Sequence, residues 1–421
     1  MKHLLGTLFL LATLPAAPAF AQTACTPGTY AAPDGDFVVL VKSPAVAAPG
    51  LRYMFRDGRR GATTDADVPL TCGTGEVAVG DKRWAPIAFR ETPATFDSVG
   101  TKMTGVLIEP PGNDAKRPLV VMVHGSERTS PIGGVYGYAM AAQGISVFVY
   151  DKRGTGGSEG EYTQNFELLA EDAAHALGRA RSMTAGRHGR AGFFGGSQGG
   201  WVAPLAATRT KADFVAIGFG LVASPIEEDR EQMVSEVRAA GLGRDAEALV
   251  GRLSDATGKL LLSGFAEGYT ELDAVRAEMA GQPWAAKIAG EHSGAIARMS
   301  NGELRRVGRA RFDNLELIWN YDALAVLKKI DAPLLWVLAG EDREAPIETT
   351  RGALLGLAKA GKPVDVYLFP QTDHGMWEFT TEASGERQIT RITDGYLKLL
   401  ADWIKRDVRG TYGRAERLTP R

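Results

Sequence analysis

The chain has 421 residues, a formal charge of −2 and 23% charged residues. That is the profile of an ordinary soluble globular protein, long enough for one large domain with additions. It lacks the basic excess of a nucleic-acid binder and the acidic run of a solvating tail.

Residues 1–21, MKHLLGTLFLLATLPAAPAFA, have a basic start at Lys2, an apolar run from Leu4 to Leu14 and a small-x-small end, Ala19-Phe20-Ala21. This predicts a secretory signal peptide cleaved before Gln22, hence a periplasmic or secreted protein. The run falls short of the ~20 apolar residues that span a bilayer, and no other stretch reads as a membrane span. Cys25 and Cys72, the two cysteines of the chain, survive that cleavage. An oxidising compartment lets them pair in a disulfide. Residues 22–94 read as a small β-rich module. Phe37–Lys42 and Leu51–Arg56 are its clearest strands, the second ending in the turn Asp57-Gly58.

From about residue 95 short apolar runs alternate with amphipathic stretches. The runs are Leu119–Val123, Ile145–Tyr150, Ala191–Phe194, Phe214–Phe219, Leu334–Leu338 and Val364–Phe369. Runs apolar on both faces and separated by helices predict an α/β fold, a mostly parallel sheet with helices on both sides. Helices are expected over Phe166–Arg181 and Gln198–Thr208 and near Ile389–Lys405. Between Ser224 and Phe312 no strand pattern occurs. Ile226–Ala240, Ala246–Leu262 and Leu272–Ala289 read instead as helices. The sheet domain is therefore expected over 95–223 and 313–408, with a helical cap inserted at 224–312 and a tail at 409–421.

The chemistry points to the stretch Gly195-Gly196-Ser197-Gln198-Gly199, directly behind an apolar strand and ahead of a helix. It fits G-x-S-x-G, in which a sharp strand-to-helix turn lifts a serine above the strand ends. Such a hydroxyl needs a base. Of six histidines, His3 leaves with the signal peptide, His175 lies mid-helix, His188 lies at the wrong end of the sheet and His292 falls in the insertion. His124 and His374 remain. His374 follows a strand late in the chain and is the expected base. An acid to orient it should follow the strand between them. Asp342 is the expected residue, with Glu341 as fallback. Two backbone donors should cradle a developing oxyanion: the N–H of Gln198 and, from the loop after His124-Gly125, that of Ser126. Gly154-Thr155-Gly156-Gly157-Ser158 fails the dinucleotide fingerprint at Glu159, and no Walker or HExxH motif exists, so no cofactor and no metal are expected. Trp201, Trp284, Trp319 and Trp377 read as core rather than as the lining of an acyl pocket.

At VMVHGSER, VFVYDKRGTGGSEG, FFGGSQGGWVAP, YDALAVLKKIDAPLLWVLAGEDREAP and FPQTDHGM the chain resembles the α/β-hydrolase superfamily. Within it the likeness is to bacterial esterases related to the prolyl-oligopeptidase catalytic domain and dienelactone hydrolase. The likeness runs from about residue 100 to 406. It implies a serine hydrolase acting on a small-molecule acyl substrate, with Ser197 as nucleophile, Asp342 as acid and His374 as base. A carboxylesterase is expected first, a peptidase, amidase or acyltransferase second, and a non-catalytic binding protein last. Two departures stand out. Glu127-Arg128 replaces the glycine and proline that often follow HGS, and Asp342 follows Gly340 by two residues where three is usual.

Overall fold

The computed structural model describes residues 24–42 and 50–420. The expected signal peptide and its cleavage point lie outside them. Six strands form the parallel centre of a nine-stranded sheet: Leu119–Val123, Ser146–Tyr150, Ala191–Gly196, Val215–Gly218, Leu334–Ala339 and Val364–Phe369. All are apolar runs read from the sequence, and most of their side chains are buried because helices cover both faces. Helices Phe166–Met183, Gly199–Ala207 and Glu348–Lys359 close one face, and Val135–Ala142 and Tyr396–Lys405 the other. Leu119–Val123 lies between Ser146–Tyr150 and Ala191–Gly196, so the loops leaving its carboxyl end and that of Ala191–Gly196 part there and open a crevice.

The sheet extends antiparallel at both edges. Arg90–Ser98 and Thr101–Glu109 pair at one edge, so the first of these runs across the boundary expected at residue 94. Glu416–Leu418 pairs with Val364–Phe369 at the other, so the stretch expected as a tail supplies an edge strand. Two predicted helices are corrected. The last begins at Tyr396, not Ile389, because Gly395 turns the chain at φ 87°. Residues 387–392 instead pair with Trp377–Thr381, which in turn pairs with Thr372–Asp373, in a separate three-stranded sheet. The helix expected over Leu272–Ala289 runs Tyr269–Met279 and stops before Gly281-Gln282-Pro283, since proline inside a helix removes a donor and clashes with the preceding turn.

Between the fourth and fifth parallel strands in chain order come helices Pro225–Ala239, Arg244–Leu262, Tyr269–Met279, Ser293–Arg298 and Asn301–Phe312. They share their own core, built on Met233, Leu253, Leu260, Leu272 and Ile296. Ser224 and Ser300 begin two of them with reciprocal capping boxes to Glu227 and Glu303, which satisfies amides the helix itself leaves free. Among the described residues no helix is long and apolar enough to cross a membrane.

The amino-terminal segment forms a seven-stranded antiparallel sheet between Gly28 and Pro86. Its strand Phe37–Lys42 alternates with period two. Val38 and Leu40 join Tyr53, Phe55 and Trp84 in a small core of the sheet's own. Phe37, Val39 and Val41 face the other way and join the core shared with Met140 and Leu397 of the large domain. Cys25 and Cys72 are disulfide-bonded across 47 residues of sequence. Closing a loop of that length restricts the unfolded chain by about 4 kcal/mol. We therefore expect C25S/C72S, or reduction, to lower the calorimetric unfolding midpoint of this sheet by several degrees. An unchanged thermogram with and without reductant would contradict the assigned role of the bond.

Candidate active site

Ser197 ends the central strand Ala191–Gly196 with φ +51°, a left-handed conformation that costs a non-glycine residue about 1–3 kcal/mol. Its amide donates to Gly218 O at 3.2 Å and its carbonyl accepts from Gly200 N at 2.7 Å, so both neighbouring elements hold the turn. Two of the glycines are explained by close approach. A Cβ on Gly195 would lie 2.6 Å from Gly199 O, and one on Gly199 would lie 2.7 Å from Val123 O. The strand and the following helix could not meet this closely with larger residues.

The remote residues read from the sequence converge here. His374 Nε2 lies 3.1 Å from Ser197 Oγ, and His374 Nδ1 lies 2.9 Å from Asp342 Oδ2. Asp342 is buried, and its other oxygen accepts from the amides of Glu344 at 3.1 Å and Ala345 at 2.7 Å. Glu341, the fallback acid, points elsewhere and pairs with Arg387 at 2.8 Å. Burial raises the Asp342 carboxyl, opposed by its hydrogen bond to His374. Burial lowers His374, but the hydrogen bond and charge of Asp342, followed by the charges of Glu344 and Asp373, outweigh it and leave the imidazole raised. The Phe219 ring meets the imidazole edge-on, centroids 5.2 Å apart.

The loop expected to hold the second oxyanion donor lies beside the serine: a Cβ on Gly125 would sit 3.3 Å from Ser197 Cβ. Among the described residues, neither the Ser126 nor the Gln198 amide meets an acceptor. Four contacts from residues 150–162 pin the loop. Tyr150 O accepts from His124 Nε2 at 2.5 Å, Lys152 Nζ donates to Gly125 O at 2.6 Å, the Tyr162 hydroxyl donates to Ser126 O, and Ser130 Oγ donates to Asp151 Oδ1 at 2.5 Å. His124 is thereby removed from the chemistry. Burial pushes it down to about 3, with Lys152 adding to the effect, and its ring is committed to Tyr150. His175, His188 and His292 contact Ser98, Thr184 and Asp229 respectively. Trp201 stacks on Phe166 in the core and Trp319 lies in the core of the insertion.

The sequence sets Glu344 with Glu341 and Asp342 in one acidic loop but gives no sign that Glu344 lies at the histidine or that acidic residues of the insertion bear on this region. Glu344 Oε1 is 3.5 Å from His374 Nε2 at the exposed mouth. From the insertion, Glu228 is pushed well above the usual carboxylate range by burial and then by the charges of Glu291, Glu344, Asp342 and Asp229. Glu291 is raised too, by desolvation and then by Glu344 and Asp229. The sequence pattern gives no sign that Glu228, or Glu291 in the turn beyond the expected helix, interacts electrostatically with groups that follow the strand ends. Among the described residues, no group of three or more His, Cys, Asp or Glu side chains is placed to hold a metal ion.

These environments separate the two strand-end histidines. In histidine-resolved NMR titration, His374 should gain its proton with a midpoint above the ordinary value of about 6.5. His124 should stay neutral down to pH 5. Removing a nearby negative charge disfavours the imidazolium, so E344Q should move the His374 midpoint down. A midpoint unmoved by E344Q and D342N would show that these carboxylates do not face the ring.

The sequence pattern of a family described as serine aminopeptidase, S33 (Hydrolase_4) matches residues 114–284, a span that contains Ser197 and ends before Asp342 and His374. No curated protein matches the chain. Among solved structures, the esterase Pf2001 of Pyrococcus furiosus is 14% identical, with 68% of this chain and 85% of that one covered and a TM-score of 0.41. The acylaminoacyl peptidase of Pyrococcus horikoshii is 16% identical, covering 78% of this chain and 45% of that one, TM-score 0.43. Est1E of Butyrivibrio proteoclasticus is 15% identical, covering 74% and 96%, TM-score 0.40. Across the turn that carries Ser197, with the parallel sheet wound around it, the chain is thus similar to that family of serine hydrolases.

Proposed function

We propose that the protein is a serine hydrolase that cleaves a carboxylic ester or related acyl substrate through an acyl-enzyme. The observation that carries this reading is the relay of two hydrogen bonds, Ser197 Oγ to His374 Nε2 at 3.1 Å and His374 Nδ1 to Asp342 Oδ2 at 2.9 Å. On this reading Ser197 Oγ bonds to the acyl carbon while its proton passes to His374 Nε2. The carbonyl oxygen becomes an oxyanion facing the amides of Ser126 and Gln198. When the carbon–oxygen bond to the leaving group breaks, the imidazolium returns the proton to that alkoxide. Water then repeats the sequence on the acyl-serine, giving up a proton to His374, and releases the acid. Asp342 orients the ring and stabilises its charged form throughout.

We read the helical insertion as a cap over this cleft, a role supported by the charges of Glu344, Asp342 and His374 that bear on its Glu228 and Glu291. The expected secretion is supported by the disulfide, a bond that persists in oxidising compartments.

A second reading is favoured by the gathering of Glu228, Glu291 and Glu344 at the mouth. Those carboxylates suit a substrate with a free ammonium group, in keeping with the serine aminopeptidase description of the matched family. Aminoacyl p-nitroanilides set against p-nitrophenyl acetate separate the two readings. Turnover of the anilide that loses affinity in E228Q, with the acetate unaffected, would favour the peptidase.

For the main reading, S197A should lower p-nitrophenyl ester hydrolysis by at least about 10⁴-fold and abolish fluorophosphonate labelling, with circular dichroism unchanged. Near-wild-type turnover by a folded S197A protein would refute it.

A further inference from the structure

Lys152 takes no part in the relay, yet it is 3% exposed and lies beneath the serine's turn. Burying an ammonium is costly unless its donors are satisfied. Its Nζ donates to Gly125 O at 2.6 Å and to Gln198 Oε1 at 3.1 Å, and sits 5.0 Å from the Tyr162 ring centroid. The residues on either side are fixed. Asp151 Oδ2 accepts from Gly157 N at 2.8 Å, and Arg153 forms a two-pronged ion pair with buried Asp172 at 2.8 and 2.6 Å. The backbone thus holds Lys152 on a rigid base.

The two acceptors are informative. Gly125 O belongs to the same peptide unit as the Ser126 N–H, and the described chain has no cis peptide. In a trans peptide the carbonyl and the N–H point in opposite directions in one plane. A cation fixed on Gly125 O therefore sets the direction of the Ser126 N–H and polarises that group toward stronger donation. The second acceptor is the side chain of Gln198, whose own N–H is the other free amide. One ammonium thus ties together the two residues that bear those amides.

We propose that Lys152 is a positioning residue for oxyanion stabilisation: its ammonium fixes the Gly125–Ser126 peptide plane and the Gln198 side chain so that both amides face one developing negative charge. This rests on the serine-hydrolase reading above and deepens it. The charged groups that bear on Lys152 are Glu127 and Arg128 of the Ser126 loop; His124, the other titratable group coupled to it, is neutral. Burial, countered by Glu127 and then aided by Arg128, lowers its ammonium to about 8.

The test uses K152M and K152R in the full mature chain, with S197A as the control on the underlying reading. K152M should lower kcat for a p-nitrophenyl ester by about 10- to 100-fold, less than or comparable to the loss of one oxyanion donor. KM should stay within about twofold, and a fluorophosphonate should still label Ser197. Affinity for a trifluoromethyl ketone, whose adduct carries an oxyanion, should fall by the same factor as kcat, and K152R should recover most of both. A merely structural role would lower the unfolding midpoint without tying kcat to ketone affinity. Unchanged kcat, or a kcat loss with ketone affinity intact, overturns the proposal. If K152M does not fold, wild-type and K152R pH profiles decide: kcat/KM falling above about pH 8 in the wild type alone supports it, and superimposable profiles overturn it. An S197A enzyme that still turns over would instead fault the hydrolase reading beneath it.

Discussion

The architecture depends on one strained residue. Ser197 is held at φ +51°, where a side chain is disfavoured, and nothing in the serine itself keeps it there. The surroundings over-determine it. The parallel neighbour Val215–Gly218 accepts its amide through Gly218 O, the helix that follows donates to its carbonyl, and the strand and helix backbones close to distances only glycine permits. A strain of about 1–3 kcal/mol is sustained by a sheet whose central strands are almost wholly buried. Position and exposure of one hydroxyl are the result.

The histidine poses the opposite problem, because it comes from outside the main sheet. Its carrier is the short sheet of Thr372–Asp373, Trp377–Thr381 and Arg387–Ile392. Arg387 anchors that sheet through Asp373 and Glu341, at 2.6 and 2.8 Å. The amino-terminal sheet braces it from behind: Ile392 N donates to Gly58 O at 3.2 Å, and the Arg60 guanidinium lies 4.4 Å from the Trp377 ring centroid. A Cβ on Gly58 would lie 2.0 Å from Ile392 O, so the two backbones are in direct contact. The amino-terminal sheet therefore belongs mechanically to the support of His374, a connection spanning more than 300 residues of sequence.

How much of this the sequence reveals follows from the range of the forces involved. The six parallel strands are legible because strands buried on both faces must be continuously apolar, as LVVMV and LLWVL are, and because helical stretches separate them. The turn at Ser197 is legible because its glycines answer to local sterics. Chain order alone leaves both Asp342 and Glu341 open as the acid, and the resemblance favours Asp342; in the folded protein Arg387 claims Glu341. ITRI, residues 389–392, reads as the start of the last helix because it abuts a genuine one. Its strand character depends on a partner, Trp377–Thr381, and on the turn at Gly395. Glu228, Glu291 and Lys152 carried no local signal. A glutamate on an amphipathic helix or in a turn looks merely solvated until the fold sets it among other carboxylates, and a lysine after a strand looks exposed until tertiary contacts bury it.

Glu291 and Lys152 change the electrostatic picture. On the hydrolase reading, the tetrahedral intermediate is a separated pair, an imidazolium at His374 and an oxyanion above Ser197. The fixed charges are sorted to match it. Asp342, Glu344 and Asp373 bear on the imidazole, and Glu291 interacts with it across the mouth. On the other flank lie Lys152, the free amides of Ser126 and Gln198, and the start of the helix at Gly199, whose dipole is positive there. Unit charges about 4 Å apart in a protein environment interact by about 4 kcal/mol, so reversing even one member of this arrangement would oppose the charge separation by a comparable amount. Water would have to reorient to solvate such a pair, whereas these groups are already oriented before the bond forms. The acidic mouth and the buried lysine are in this sense two ends of one device, each stabilising the charge that the other would repel.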